Sequence, residues 1–310
     1  MSEQNDKLFH AGVEGTAGMT HRIMTVCGGP ISVYEAGSSE NPAVVLLHGA
    51  MYDEARFSWD QLFPALAERY HVLAVDTPRH GRSRPWSGTL DRAKLLEILS
   101  ETFRQLKLER FSIVGLSMGG GLAIEYAVQH PEQVVSMALF EPGGLGETVT
   151  GQLFTYCYIH TPGMLRLLSK RYVKMSRQQI EKTLRSLYTG TSAPTDPERL
   201  ITILQDEIRG KFECGENDMD DWQLSGIGAF QLKWNLLGTI PQIQCPTLWL
   251  RGENSVLVKQ SEMERAAALA RQGGSEATLT TVPNAGHMLP LEQPETANRT
   301  VLEFLNRTTK

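Results

Sequence analysis

Apolar residues along the chain fall into two alternating patterns, short continuous runs and longer stretches with helical spacing. Short runs bounded by glycine, proline or polar residues are typical of buried strands, and apolar residues three and four apart are typical of amphipathic helices. The predicted strands are 21–27, 31–35, 44–47, 72–75, 111–114, 134–140, 247–250 and 278–282. The predicted helices are about 59–69, 91–106, 120–130, 260–271 and 294–306. Because the two kinds of element alternate, we predict an α/β fold with a mostly parallel sheet covered by helices on both faces.

One long segment, residues 144–238, interrupts this alternation. It is helix-rich and has no convincing strand pattern, and its large side chains include Tyr156, Tyr158, Met164, Met175, Tyr188, Met219, Trp222 and Trp234. A structureless loop of this length is not expected inside a compact domain, so we predict a helical cap inserted between two strands. Its aromatic residues either line a substrate pocket or pack against each other and the core. The predicted division is a mobile polar tail at 1–20, an α/β core at 21–143 and 239–310, and a cap at 144–238.

Composition indicates a soluble enzyme and excludes several other classes. The chain has 310 residues, of which 41% are hydrophobic, and a formal net charge of -5, which provides no broad basic surface for nucleic acid. No apolar stretch approaches the roughly 20 residues that cross a bilayer, and residues 2–7 lack the apolar core of a signal peptide. The scattered cysteines are Cys27, Cys157, Cys214 and Cys245. We expect a cytoplasmic protein with reduced thiols, a small-molecule substrate, no membrane span and no metal or organic cofactor. The oligomeric state stays open.

A serine flanked by glycines is the strongest candidate for chemistry. Gly115-Leu116-Ser117-Met118-Gly119 follows the predicted strand 111–114 and precedes the predicted helix 120–130. Small residues two before and two after Ser117 permit a tight turn that exposes the serine hydroxyl. The amides at the start of the helix point toward the same place, where a developing oxyanion would lie. The context therefore predicts a nucleophile.

A catalytic serine needs a base and an oxyanion hole, because an alcohol is protonated at neutral pH and the tetrahedral intermediate is negatively charged. His287 lies in a turn-prone segment, 284–288, directly after the last predicted strand, and is the candidate base. The predicted strand 44–47 runs into His48-Gly49-Ala50-Met51. The backbone amides of Ala50 and Met118 are the candidate oxyanion donors, while His48 and Gly49 shape the loop.

Four signals in this order resemble the α/β-hydrolase superfamily over nearly the whole chain from about residue 25. They are His48-Gly49 after a strand, the segment Asp76-Thr77-Pro78-Arg79-His80-Gly81-Arg82-Ser83 after the next, the Ser117 turn, and Gly286-His287 near the end. The resemblance implies an eight-stranded, mainly parallel sheet, a helical cap between the sixth and seventh strands, and a serine–histidine–acid triad. It is far more specific for fold than for substrate.

The acid departs from the family's usual pattern. In such proteins it usually lies three residues after the glycine that ends the seventh strand, and here that position is Ser255. Glu253 is nearby, but a two-residue offset moves an extended backbone by about 6–7 Å. The family's other position is the end of the sixth strand, where Glu141 follows the predicted strand 134–140. We favour Glu141 as the acid, with Glu253, another carboxylate or no acid as the alternatives.

Reaction type follows from the nucleophile. A serine at the turn favours acyl transfer to water through an acyl-enzyme, so we expect a hydrolase of carboxylic esters, or of thioesters and lactones, of a small and largely apolar substrate. Pro142-Gly143-Gly144-Leu145-Gly146 resembles the hydrolases that cleave carbon–carbon bonds in ring-fission products. Against that alternative, Leu116 and Met288 stand where those enzymes typically have asparagine and tryptophan. A second alternative, supported only by Ser255, is a ligand-binding or receptor-like protein with little turnover.

Overall fold

Eight strands form one sheet in the computed structural model, which describes residues 12–149, 151–187, 194 and 196–309. The strands are β1 (Thr20–Val26), β2 (Gly29–Ala36), β3 (Ala43–Leu47), β4 (His71–Asp76), β5 (Phe111–Leu116), β6 (Val134–Phe140), β7 (Thr247–Gly252) and β8 (Ala277–Val282). Their order across the sheet is β1-β2-β4-β3-β5-β6-β7-β8. β2 pairs antiparallel with β1 and β4, and the other pairings are parallel. The predicted α/β fold is therefore confirmed.

Apolar side chains cover both faces of this sheet, which explains why the central strands have no polar alternation. Two clusters of buried apolar side chains result, one on each face. In β3, Val45 and Leu47 belong to the first cluster, whereas Val44 and Leu46 belong to the second. The core helices are α1 (Ala55–Ser58), α2 (Leu62–Ala67), α3 (Arg92–Gln105), α4 (Met118–Gln129), α10 (Gln260–Gln272), α11 (Leu289–Glu292) and α12 (Pro294–Thr308). Helices α3, α4 and α10 pack in the first cluster, and α1, α2, α11 and α12 pack in the second.

The helix predicted at about 59–69 is shorter in the structure. Only α2 lies within the predicted range; α1 ends just before it, and the intervening Trp59, Asp60 and Gln61 are outside both. Pro64 lies in the first turn of α2, where its missing N–H costs no helical hydrogen bond. A proline at this position favours a helix start at about residue 62, which the apolar spacing alone did not indicate.

Helices also fill the segment between β6 and β7, as predicted for a cap. They are α5 (Gln152–His160), α6 (Met164–Tyr172), α7 (Arg177–Leu187), α8 (Pro197–Glu213) and α9 (Asp221–Gly226). The longest, α8, is capped by Asp196, whose side chain accepts a hydrogen bond from the Arg199 backbone N–H. Leu200, Leu204 and Ile208 of α8 belong to the second buried cluster. Helix α8 thus packs on the same face of the sheet as α1, α2 and α12, whereas Trp222 of α9 belongs to the first buried cluster.

The N-terminal tail predicted at 1–20 falls in two parts. Residues 1–11 lie outside the described residues. From Gly12 onward the chain forms hydrogen-bonded turns that lead into β1, and Val13 is fully buried in the second cluster. Among the described helices, none combines the length and apolar character needed to span a bilayer.

Candidate active site

Ser117 lies between the end of β5 and the start of α4, on a strained turn. Its φ of 51° and ψ of -114° are unusual for a residue with a side chain, and such conformations cost about 1–3 kcal/mol. A Cβ at Gly115 would lie 2.6 Å from the Gly120 Cα, and a Cβ at Gly119 would overlap the carbonyl oxygens of Leu47 and His48. The two glycines therefore permit the close approach of the strand, the helix and the neighbouring loop.

His287 and Glu141 are in direct contact. His287 Nδ1 lies 2.7 Å from Glu141 Oε2, and both side chains are buried. With the ring proton on Nδ1, the imidazole donates to the carboxylate and presents Nε2 as an acceptor. Glu141 has a φ of 42°, and its backbone N–H donates to Leu250 of the adjacent β7 at 3.0 Å. The contact therefore depends on the pairing of β6 with β7.

Two further groups hold the Glu141 carboxylate. The Gly252 backbone N–H donates to Oε1 at 2.9 Å, and the Ser255 hydroxyl donates to Oε2 at 2.6 Å. Three donors around one carboxylate fix its orientation. Ser255, at the position usual for the acid, is thus a hydrogen-bond donor to the carboxylate at the neighbouring strand end.

Glu253 lies apart from this arrangement. Its side chain is exposed, and its carboxylate accepts a hydrogen bond of 3.3 Å from the Asn284 backbone N–H. Of the two carboxylates considered from the sequence, the structure places Glu141, and not Glu253, against His287.

The candidate oxyanion donors are Ala50, on the loop after β3, and Met118, at the start of α4. A backbone hydrogen bond connects these two segments. The Gly119 backbone N–H donates to the His48 carbonyl at 3.0 Å, which joins the start of α4 to the loop after β3. Neither the Ala50 nor the Met118 backbone N–H has an acceptor within the described part of the chain. Amides that lack an acceptor are available to a substrate oxygen.

Buried polar side chains shape the loop after β3. Asp53 accepts hydrogen bonds from the Gly49 N–H at 2.6 Å, the Glu54 N–H at 2.8 Å and the Ser58 hydroxyl. Burial raises the pKa of Asp53 above its ordinary value. His48 Nε2 lies 3.0 Å from the Thr77 backbone nitrogen and joins this loop to the one after β4. These residues position the loop, in agreement with the shaping role expected of His48 and Gly49.

One cavity of about 150 Å³ brings the candidate residues together. Ser117, His287 and Ala50 all line it. The rest of the lining is mostly apolar and comprises Gly49, Met51, Tyr52, Asp53, Phe57, Leu116, Leu204, Gln223, Leu257 and Met288. No arginine or lysine is among these described lining residues. Apolar walls of this kind favour the apolar parts of a ligand.

The cap supplies residues to this cavity that the sequence did not single out. Leu204 of α8 and Gln223 of α9 line it, whereas the two cap tryptophans pack against each other with ring centroids 5.0 Å apart. Trp234 also donates to buried Glu125 at 3.0 Å. Tyr188 lies outside the described residues. Helical spacing in α8 was a usable signal for Leu204 as a buried residue, but no local pattern distinguishes Gln223.

The fold and this site together define an α/β-hydrolase: a serine on the strand-to-helix turn after β5, a carboxylate at the carboxyl end of β6 and a histidine on the loop after β8. The sequence profile described as "Alpha/beta hydrolase family" matches residues 44–300. The chain belongs to the alpha/beta hydrolase family and is a hydrolase.

Named relatives include esterases and other hydrolases. Carboxylesterase YbfK from Bacillus subtilis (strain 168) is 26% identical over 279 residues, covering 89% of this chain and 84% of YbfK. The 2-hydroxy-6-oxo-6-phenylhexa-2,4-dienoate hydrolase of Comamonas testosteroni is 25% identical over 283 residues, covering 88% of this chain and 90% of that protein. The crystal structure of carboxylesterase CesB (YbfK) from Bacillus subtilis has a TM-score of 0.72 at 23% identity, covering 98% of this chain and 95% of that one. The structural likeness shows the fold alone.

Proposed function

We propose that this protein is a serine esterase that hydrolyses carboxylic esters, or related thioesters and lactones, of small apolar substrates through an acyl-enzyme on Ser117. The observation that carries the proposal is the 2.7 Å contact between His287 Nδ1 and Glu141 Oε2 at a cavity that Ser117 also lines. A buried imidazole held by a carboxylate and facing a serine is the arrangement that activates a serine hydroxyl.

In the acylation step, Ser117 Oγ attacks the ester carbonyl carbon while its proton passes to His287 Nε2. The carbonyl oxygen becomes an oxyanion and accepts hydrogen bonds from the Ala50 and Met118 amides. The carbon–oxygen bond to the alcohol then breaks, and the imidazolium returns its proton to the leaving oxygen. Glu141 holds the imidazole in the required tautomer and stabilises the imidazolium.

Deacylation repeats these steps with water. His287 removes a proton from water as the water oxygen attacks the acyl carbon, and a second oxyanion forms at the same amides. Collapse of this intermediate releases the carboxylic acid and returns the proton to Ser117. Acylation and deacylation together consume one ester and one water and release one alcohol and one carboxylic acid.

Labelling with a fluorophosphonate probe, combined with turnover of short p-nitrophenyl esters, tests the proposal. We expect the wild-type protein to be labelled at Ser117 and to hydrolyse the esters, and Ser117→Ala to lose both activities. Ser38→Ala, at an exposed serine, is the control and should retain both. A wild-type protein that is neither labelled nor active would instead favour a ligand-binding protein.

The cavity lining argues against the carbon–carbon hydrolase alternative. The substrate named for the Comamonas relative is a dienoate, hence a carboxylate, and a buried carboxylate requires a cationic partner or several hydrogen-bond donors. No arginine or lysine is among the described residues that line this cavity, and Leu116 and Met288 add apolar walls. Turnover of a ring-fission product at a rate above that of the esters would reverse this preference.

A further inference from the structure

A second apolar cavity adjoins the one that contains Ser117. Its volume is about 20 Å³. Met51, Tyr52 and Leu204 line both cavities, so the two cavities adjoin at these three side chains. The remaining lining comes from the cap: Tyr172, Met175, Ile180, Thr183 and Ile208.

The walls of the second cavity are suited to hydrocarbon. Ile180 and Ile208 are almost completely buried, with 4% and 5% exposure. The Thr183 hydroxyl donates to the Gln179 carbonyl at 2.9 Å within α7, so its hydrogen-bonding capacity is already used in the helix. A methylene group that moves from water into such surroundings gains about 0.8 kcal/mol, which is about fourfold in affinity.

The chemistry of hydrolysis determines which half of an ester faces this cavity. The leaving oxygen must lie beside His287, because that histidine returns the proton to it. Met288, which directly follows His287 in the chain, lines the first cavity. Met51 and Tyr52 directly follow Ala50, the candidate oxyanion donor, and line both cavities. An acyl half that points away from the leaving oxygen would extend from this oxyanion site toward Met51, Tyr52 and the second cavity.

We propose that the second cavity receives the end of the acyl chain and that the substrates are esters of unbranched aliphatic acids longer than acetic acid. This inference rests on the proposed esterase function. Met51, Tyr52 and Leu204 stand between the two cavities, so a straight chain passes where a branched or aromatic acyl group is obstructed. Selectivity in the acyl half is then set by cap residues distant from the reacting atoms.

The test compares kcat/KM for p-nitrophenyl acetate, butyrate, hexanoate, octanoate and the branched pivalate. We expect the wild-type value to rise about fourfold per methylene until the cavities are filled, with pivalate below butyrate. Met175→Trp narrows the second cavity and should move the best substrate to a shorter chain. Leu204→Ala removes part of the partition and should move it to a longer chain. Met164→Trp is the matched control, because Met164 is another half-buried cap methionine and lines neither cavity.

The outcomes distinguish this inference from the proposed function. Absence of turnover with every ester, in a folded wild-type protein, overturns the esterase itself. Turnover that is highest with acetate and falls with chain length overturns the acyl site, as does an equal change of the profile in Met175→Trp and Met164→Trp. A thermal melt checks that each variant folds; if Leu204→Ala does not fold, Met175→Trp and its control still decide the question, because Met175 is only half-buried.

Discussion

Replacing Glu141 with glutamine tests the least conventional part of the site. The Gly252 N–H lies 2.9 Å from Oε1, and Oε2 lies 2.7 Å from His287 Nδ1. A glutamine that keeps its oxygen toward Gly252 points its NH₂ group at His287, which forces the ring proton onto Nε2. The histidine then presents a donor to Ser117 and cannot remove its proton. The opposite orientation sets two donors, the NH₂ group and the Gly252 N–H, against each other.

Either orientation also removes the negative charge that stabilises the imidazolium. We therefore expect Glu141→Gln to lower kcat for a p-nitrophenyl ester by about a thousandfold to ten-thousandfold, as loss of the acid does in other serine triads. KM should change little, because Glu141 is not among the described residues that line the cavity. Glu253→Gln is the control and should retain nearly full activity, since Glu253 contacts Asn284 on the surface. Steady-state kinetics at constant pH measure both, and wild-type turnover by Glu141→Gln would refute the assignment.

The remaining predictions concern the loops and the stability. Gly119→Ala should lower the free energy of unfolding by about 1–3 kcal/mol, since its Cβ overlaps backbone oxygens, whereas Gly238→Ala, with open space around it, should unfold near wild type in a urea titration. Asp53→Asn should lower kcat up to about a hundredfold, because it loosens the loop that positions the Ala50 amide; a wild-type kcat would contradict this. Burial raises the pKa of Glu216 from 4.5 to about 7. The folded protein then holds a proton that the unfolded chain releases, so wild-type stability falls as the pH rises from 4.5 to about 7. Glu216→Gln should flatten this part of a profile of melting temperature against pH, and an unchanged slope would contradict the expectation.

Regular patterns in the sequence predicted most of the fold. Every predicted strand corresponds to an observed one. The central parallel strands were the clearest, because strands buried on both faces consist of continuous apolar runs. The predicted helix boundary at about residue 59 was wrong, because Pro64 favours a helix start at about residue 62 and the apolar spacing alone does not show this. Helical content of the segment 144–238 was also predicted from its length and composition, although the exact boundaries between core and cap stay a prediction.

The candidate site was less accessible to the same reasoning. Ser117 and His287 are adjacent to strong local signals, a glycine-flanked turn and a loop after a strand. For the acid, the sequence offered Glu141 after the sixth strand and Glu253 after the seventh. The structure shows where Glu141, Ala50 and Met118 lie, and their catalytic roles stay predictions. Leu204 and Gln223 reach the cavity only through the packing of cap helices, which the local sequence does not encode.

The pairing of β6 with β7 gives a physical reason why an acid at the end of β6 can replace one after β7. The two strands are parallel neighbours, and Phe140 is paired with Leu250, so their carboxyl ends lie at the same edge of the sheet. The Glu141 carboxylate spans the short distance to the β7 end, where the Gly252 N–H and the Ser255 hydroxyl hold it. An aspartate at position 255 would instead place a second charge beside Glu141, and two adjacent buried carboxylates cannot both ionise at low cost. A serine at position 255 is therefore the residue type that complements an acid at position 141.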